Sequence, residues 1–264
     1  MASPARLVAL ALALGVAAHV TLRAQTRLAT GAGPDPVVTG VLEDEAGGAL
    51  AHTDVQACSE KVCLYSETDA GGRFRFELPR RAAPFVLKTL EDPSARPPRA
   101  AALAPILVAG SPSLEMGSVL VAHLPVGRPV RPGSGARLDV EAGDGLRLTL
   151  VPRDLAPPPG RTLTTIAARR IPLDRGPRYE LPHGETVMAV YALHPFGTIS
   201  RSPIAVQAPA GLPAGTRVVF RTMREIDGTF SPPVPGAVAG AHVATHASRG
   251  ITELTHLVIT TLAP

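Results

Sequence analysis

Aromatic side chains are scarce in this sequence: its 264 residues include no tryptophan, three tyrosines and six phenylalanines. Sugar-binding modules lay a ring against the apolar face of the sugar. Single-stranded nucleic acid is held on stacked rings worth about 1–3 kcal/mol per base. Both modes are poorly supplied here. Lysine occurs only at Lys61 and Lys88, and no glycine-rich phosphate loop carries one. The formal charge of +4 comes from arginines dispersed along the chain, apart from short clusters such as Arg80-Arg81 and Arg169-Arg170. A nucleic-acid surface needs a concentrated basic stripe, so these arginines read as solvated surface. After residue 24 no apolar run approaches the roughly 20 residues of a membrane-spanning helix.

Catalytic constellations are missing in the same way. None of the eight histidines stands in an H-x-x-E pair, which zinc peptidases use to bind metal and activate water. Glu253 and His256 have the reversed order, and no third ligand accompanies them. His242, His246 and His256 fall close together in the chain and read as ordinary strand or turn residues. No G-x-S-x-G nucleophile elbow occurs, and Ser134 lies in a Pro/Gly-rich connection. The carboxylates Glu43, Asp44 and Glu45 read as an exposed acidic turn. No catalytic, cofactor-binding or metal-ligating residue is assigned, no cofactor is implied, and an enzyme is not expected.

The N-terminus holds the strongest local signal. Arg6 precedes the apolar stretch Leu7–Ala18, and small residues follow. This is the layout of a secretory signal peptide over residues 1–24, cut after Ala24 or earlier after Ala18. The protein is expected in the periplasm, secreted or at the cell surface. Two cysteines, Cys58 and Cys63, lie beyond that leader, and an even pair in an oxidising compartment reads as a disulfide.

The remainder has 28 prolines and 25 glycines, enough to force many turns and few long helices. Residues 25–36 read as a flexible linker. Strands are expected at Val37–Leu42, Thr53–Cys58, Val62–Ser66, Phe85–Leu90, Ile106–Ala109 and Ser118–His123. The clearest is Arg73–Leu78, where Phe74, Phe76 and Leu78 alternate with Arg73, Arg75 and Glu77; that period of two means one buried and one wet face. The Pro/Ala/Arg-rich segment Asp92–Pro105 reads as a surface loop. Prolines and glycines cluster again at residues 125–136, read as the linker to a second domain over 137–264. Strand signals return there at Arg137–Glu141, Leu146–Val151, Thr164–Ile171, Val187–Leu193, Ile204–Gln207, Arg217–Thr222, His242–Thr245 and Leu257–Leu262. Turns at such intervals suit a β-sandwich. The expected fold class is all-β, two β-sandwich domains behind a signal helix, touching over a modest interface.

Two stretches resemble known modules. Residues 37–124, through VVTGVLEDEAGGALAHTDVQA and TDAGGRFRFELP with LEMGSVLVAHL as closing strand, resemble the carboxypeptidase regulatory-like domain. The resemblance implies a prealbumin-like Greek-key sandwich that serves as an accessory or surface module. Its turn is physically readable: Asp69 accepts from nearby amides, while Gly71 and Gly72 permit positive φ. From about Leu138, the pieces VMAVYALHPFGTISRSPIAVQAP, GLPAGTRVVF and HASRGITELTHLVIT resemble the ZU-type, Ig-like β-sandwich of bacterial surface proteins. His256 stands where that family often has an aromatic residue. Together these imply a non-catalytic structural or interaction module whose partner is a protein or glycan of the envelope. A carbohydrate-binding accessory module is the alternative, with Tyr65 or Tyr179 as its ring.

Overall fold

The structure is a computed structural model that describes residues 34–108 and 111–262. The leader and most of the linker at 25–36 lie outside the described residues. The regular elements among the described residues are β-strands except for two single-turn 3-10 helices at Arg80–Ala82 and Pro152–Asp154.

Seven strands build the N-terminal half: β1 (Val37–Glu43), β2 (Asp54–Cys58), β3 (Cys63–Glu67), β4 (Arg73–Glu77), β5 (Phe85–Lys88), β6 (Leu103–Ile106) and β7 (Ser113–Leu120). They form two sheets, ordered β4-β1-β7 and β3-β2-β5-β6. β1 runs antiparallel to β4 but parallel to β7. The sheets face each other across Val38, Leu42, Val55, Phe74, Phe76 and Leu87, all buried. Burying a side chain of this size contributes about 1.5–3 kcal/mol. β4 alternates as its sequence requires, with Phe74 and Phe76 inside and Arg73, Arg75 and Glu77 in water.

The turn before β4 is closed by Asp69. Its Oδ1 accepts from the amides of Gly71 and Arg73, both at 2.8 Å. Only Gly72 holds a positive φ, +72°, and a Cβ there would come within 2.8 Å of the Leu42 carbonyl oxygen. Across the preceding hairpin Cys58 pairs with Cys63 in register, and their sulfurs are joined in a disulfide.

The C-terminal half has twelve strands: β8 (Arg128–Pro129), β9 (Leu138–Gly143), β10 (Leu146–Leu150), β11 (Leu155–Ala156), β12 (Thr165–Ile171), β13 (Glu185–His194), β14 (Thr198–Pro209), β15 (Arg217–Met223), β16 (Val234–Ala239), β17 (His242–Thr245), β18 (Ile251–Leu254) and β19 (His256–Leu262). They join one sheet in the order β8-β12-β13-β19-β15-β16-β17-β14-β10-β9, with β11 and β18 paired to the first part of β14. The sheet curls around a core that includes Leu148, Tyr191, Ile204, Phe220 and Ile259. The curl brings the β9–β10 turn onto β12, where the Arg170 amide donates to Asp144 Oδ2 at 2.7 Å.

Three expectations from sequence change here. The segment expected as a linker at 125–136 is docked: Arg128 and Pro129 pair with β12, and Val130 enters the C-terminal core. The surface loop expected at Asp92–Pro105 is instead buried from Ala100 onward, and its end is strand β6. Third, the interface between the halves is not modest. The outer face of β2 and β5 is covered by the C-terminal half. Cys58, Val86, Ala101 and Leu103 form one apolar cluster with Phe196 and Met223. A second cluster joins Ala100, Leu120, Ala122 and Leu124 to Ala167, Ile171, Val190 and Val258. Small side chains let the halves approach closely, and a Cβ on Gly228 would lie 2.9 Å from Val86.

Two outcomes follow for stability. Gly72→Val is expected to cost more than about 1 kcal/mol, because a β-branched residue is strained at positive φ. Gly71→Val should cost clearly less in the same denaturant melts, since Gly71 holds no positive φ; equal midpoints for the two variants would contradict the turn as described. Calorimetry of the full chain should show one transition with agreeing calorimetric and van't Hoff enthalpies, whereas two resolved transitions would mean the halves unfold separately.

Candidate functional site

The two halves are locked by polar contacts that surround the apolar clusters. Glu45, expected in an exposed acidic turn, accepts two hydrogen bonds from Arg169, at 2.7 Å to each carboxylate oxygen. Burial works against its ionisation, but the Arg169 bonds and charge and the His123 amide outweigh it and hold the carboxyl below its ordinary range. Arg169 was expected to be solvated, and the bidentate pair corrects that. Arg175 reaches the same turn from the segment after β12, donating to the carbonyl oxygens of Glu45 and Asp44 at 2.7 and 2.8 Å. On the other side Glu91, 3% exposed in its side chain, takes the Phe196 amide at 2.8 Å and His194 Nδ1 at 3.0 Å, with Arg161 at 3.6 Å. A buried carboxylate is tolerable only with such a full set of partners.

His256 is part of this seam. It opens β19, is 1% exposed, and its Nε2 lies 3.0 Å from the Ala101 carbonyl oxygen of the other half. Burial keeps the imidazole neutral, with its pKa lowered to about 4. Nε2 therefore carries the proton it donates, and Nδ1 is a buried acceptor with no partner among the described residues. His256, expected from sequence to stand in place of an aromatic residue, thus ties the halves together.

Beside His256 a cleft of about 370 Å³ opens between the free edges of the two N-terminal sheets. One wall is the consecutive run Leu114–Leu120 of β7, the other is Leu103, Ala104 and Pro105 of β6 with Leu107 just beyond it. The segment from Ile171 to Arg178 closes the end near Leu120. A bulge opposes Met116 and Gly117 to the single residue Gly40 of β1, and Gly117 takes the positive φ, +69°, that such a bulge needs. Beyond it, Val121 donates to the Glu43 carbonyl oxygen. Alternate residues of a strand serve the same neighbour, so Val119 shares that side and the main-chain groups of Ser118 and Leu120 face the free edge. The cleft is apolar at Leu114, Met116, Leu120 and Ile171. Glu115, Arg175 and Arg178 are its charged lining residues, and Arg175 and Asp174 lie beside Ser118 and Leu120. Arg178 forms no ion pair among the described residues.

The other residues singled out in the sequence do not converge on this cleft. Cys58 and Cys63 sit in the seam, and Asp69, Gly71 and Gly72 shape a turn away from it. His242 and His246 belong to β17 and the turn after it. Among the described residues no group of three or more His, Cys, Asp or Glu is placed to hold a metal ion. Tyr179 is buried with its ring 5.8 Å from Phe230, and burial pushes its phenol pKa upward. Tyr65 is 74% exposed on β3. Neither tyrosine lines the cleft. Sequence reasoning missed the cleft because its walls are strand edges, which carry no side-chain signature. The period-free apolar run of β5 (FVLK) and the buried β6 (LAPI) were the available hint, since strands covered on both faces lose their alternation.

Near the seam Glu253 on β18 carries an unusual proton. Burial, then the charges of Glu225 and Asp227, raise its pKa to about 7, against a smaller opposing pull from Arg224. From the ordinary carboxylate range up to pH 7 the folded chain keeps a proton that the unfolded chain has released. Stability therefore falls as pH rises across that window and levels off above it. Glu253→Gln should raise the denaturation midpoint at pH 8, by on the order of 1 kcal/mol, and leave it unchanged at pH 4. Parallel pH profiles for variant and parent would refute the assignment.

No family model matches the chain, and no curated protein matches it. Among solved structures, BcpA, the major pilin subunit of Bacillus cereus, is similar at 12% identity and a TM-score of 0.22, over 86% of this chain and 59% of the pilin.

Proposed function

We propose that the chain is an exported, non-catalytic structural or interaction module of the cell envelope or cell surface. Its N-terminal half is read as a carboxypeptidase regulatory-like sandwich and its C-terminal half as a ZU-type one. The observation that carries this reading is the character of the cleft. Its walls are main-chain edges and aliphatic side chains, and its polar groups are guanidinium ions, one neutral imidazole, the Ser118 hydroxyl and carboxylates. Such a surface holds a partner in place; among the described residues its one hydroxyl, on Ser118, makes no hydrogen bond to a base that would activate it. The Cys58–Cys63 disulfide fits an oxidising compartment. No helix among the described residues is long and apolar enough to cross a membrane.

A sugar-binding reading has one observation in its favour, the exposed ring of Tyr65. A lone ring outside the cleft offers a weak platform, so the protein-partner reading is preferred.

Protein recovered from the periplasm or medium should begin at Gln25 or, with the earlier cut, at His19, and should take up no alkylating reagent before reduction. Crosslinking in intact cells should capture an envelope protein in a complex lost on Met116→Arg. Retention of the full leader on cytoplasmic protein would defeat the export reading. Glycan-array binding that disappears in Tyr65→Ala would replace the protein partner with a sugar.

A further inference from the structure

We infer that the cleft is a strand-addition site that takes the extended C-terminal end of a partner polypeptide, apolar side chains between the sheet edges and terminal carboxylate at the arginine end. The inference rests on the interaction-module reading above and names the partner that site would hold.

Three features point to a peptide. First, the wall is a run of consecutive residues, Leu114–Leu120. A ligand in this cleft meets main-chain amides and carbonyls as well as side chains. With Ser118 and Leu120 facing the free edge, an extended chain finds a ladder to join, whereas an acyl chain would leave those groups unpaired. Second, the cleft is polarised. Glu115 stands toward the start of the β7 wall; Arg175 lies with Ser118 and Leu120 toward its end, and Arg178 lines the same cleft. Asp174 and Glu43 are the nearby carboxylates, and the Arg175 guanidinium is already engaged by Glu43 and by the Asp44 and Glu45 carbonyls. Arg178 is left to receive an anion. Third, the bulge at Met116–Gly117 interrupts the ladder, so pairing beyond it is short. A short paired stretch ending at a positive charge fits the last few residues of a chain, because the terminal carboxylate is recognised only there. A peptide running parallel to β7 would bring its C-terminus to Arg178, since β7 itself runs toward that end.

The chain's own residues 25–33 (QTRLATGAG) are a poor occupant. They carry Arg27, no carboxylate and a single large apolar side chain, Leu28.

The test is selection from a random library of peptides about seven residues long, displayed with free C-termini, against the full exported protein. Selected peptides, synthesised with a fluorescein label, are then titrated by anisotropy. Selection should converge on apolar residues at alternate positions of the last four or so. Amidation of the terminal carboxylate, and Arg178→Ala, should each weaken binding about tenfold, the loss expected for one charge-assisted contact. Met116→Arg should abolish binding with an unchanged far-UV spectrum, and bound peptide should slow amide exchange at Ser118 and Leu120. Dodecanoate serves as a second probe of the same cleft. No convergence, amidated peptides that bind as tightly, or dodecanoate binding that Met116→Arg removes while no peptide binds would each overturn the inference. If crosslinking captures an envelope protein while library selection fails, the interaction-module reading stands and only the mode of recognition falls.

Discussion

Strands β2, β5 and β6 of the second N-terminal sheet are covered on both faces, and the rest of the molecule is arranged around that fact. In a lone sandwich one face of each sheet meets water, and its strands alternate apolar with polar residues. Here Leu87 points into the N-terminal core while its neighbour Val86 meets Phe196 and Met223 of the C-terminal half. Neither half could expose those residues without cost, because each buried aliphatic side chain is worth about 1.5–3 kcal/mol. The polar contacts at the margin then have a defined task. Glu45 with Arg169, and Glu91 with His194 and the Phe196 amide, fix how the halves meet around an apolar contact that has no direction of its own.

Much of the fold was legible in the sequence because much of it is local. RFRFEL announces β4, and the Asp-x-Gly-Gly turn before it closes as that residue order allows, although only Gly72 uses the left-handed region. The strand expected at Thr53–Cys58 is β2, and it is buried on both faces, with Gln56 and Cys58 covered as well as Val55 and Ala57. A polar Gln56 looks the same in the sequence whether it faces water or another part of the chain. Strands β16 and β18 were missed for different reasons. β16 contains Pro235 and Gly236, and the glycine is required because a Cβ would meet the Ala244 carbonyl oxygen and the Phe220 ring. β18 has only four residues, and Glu253 sits among them.

The candidate site was almost illegible. Side-chain motifs describe catalytic or metal sites, and their absence in the sequence is informative about those chemistries. A cleft walled by strand edges is written in the backbone and in which strands lack neighbours, and that depends on pairing across long stretches of chain. His256 shows the difficulty well. The sequence presents it as one of three nearby histidines, and the fold separates it from His242 and His246 by placing it on β19 against Ala101.

The order in which these strands arrive along the chain has a consequence for biogenesis. β1 is the middle strand of its sheet, yet its parallel neighbour β7 follows some seventy residues later. β19, which supplies His256 and Val258 to the seam and lies between β13 and β15, comes last among the described strands. A nascent chain can therefore complete neither sheet early, since the cost of closing such long loops precedes any contact that rewards it. On the export reading proposed above, this late-closing topology is an asset: the sequence carries little that would fold prematurely, and a chain truncated before β19 would display an unmated apolar face that a protease or chaperone can recognise.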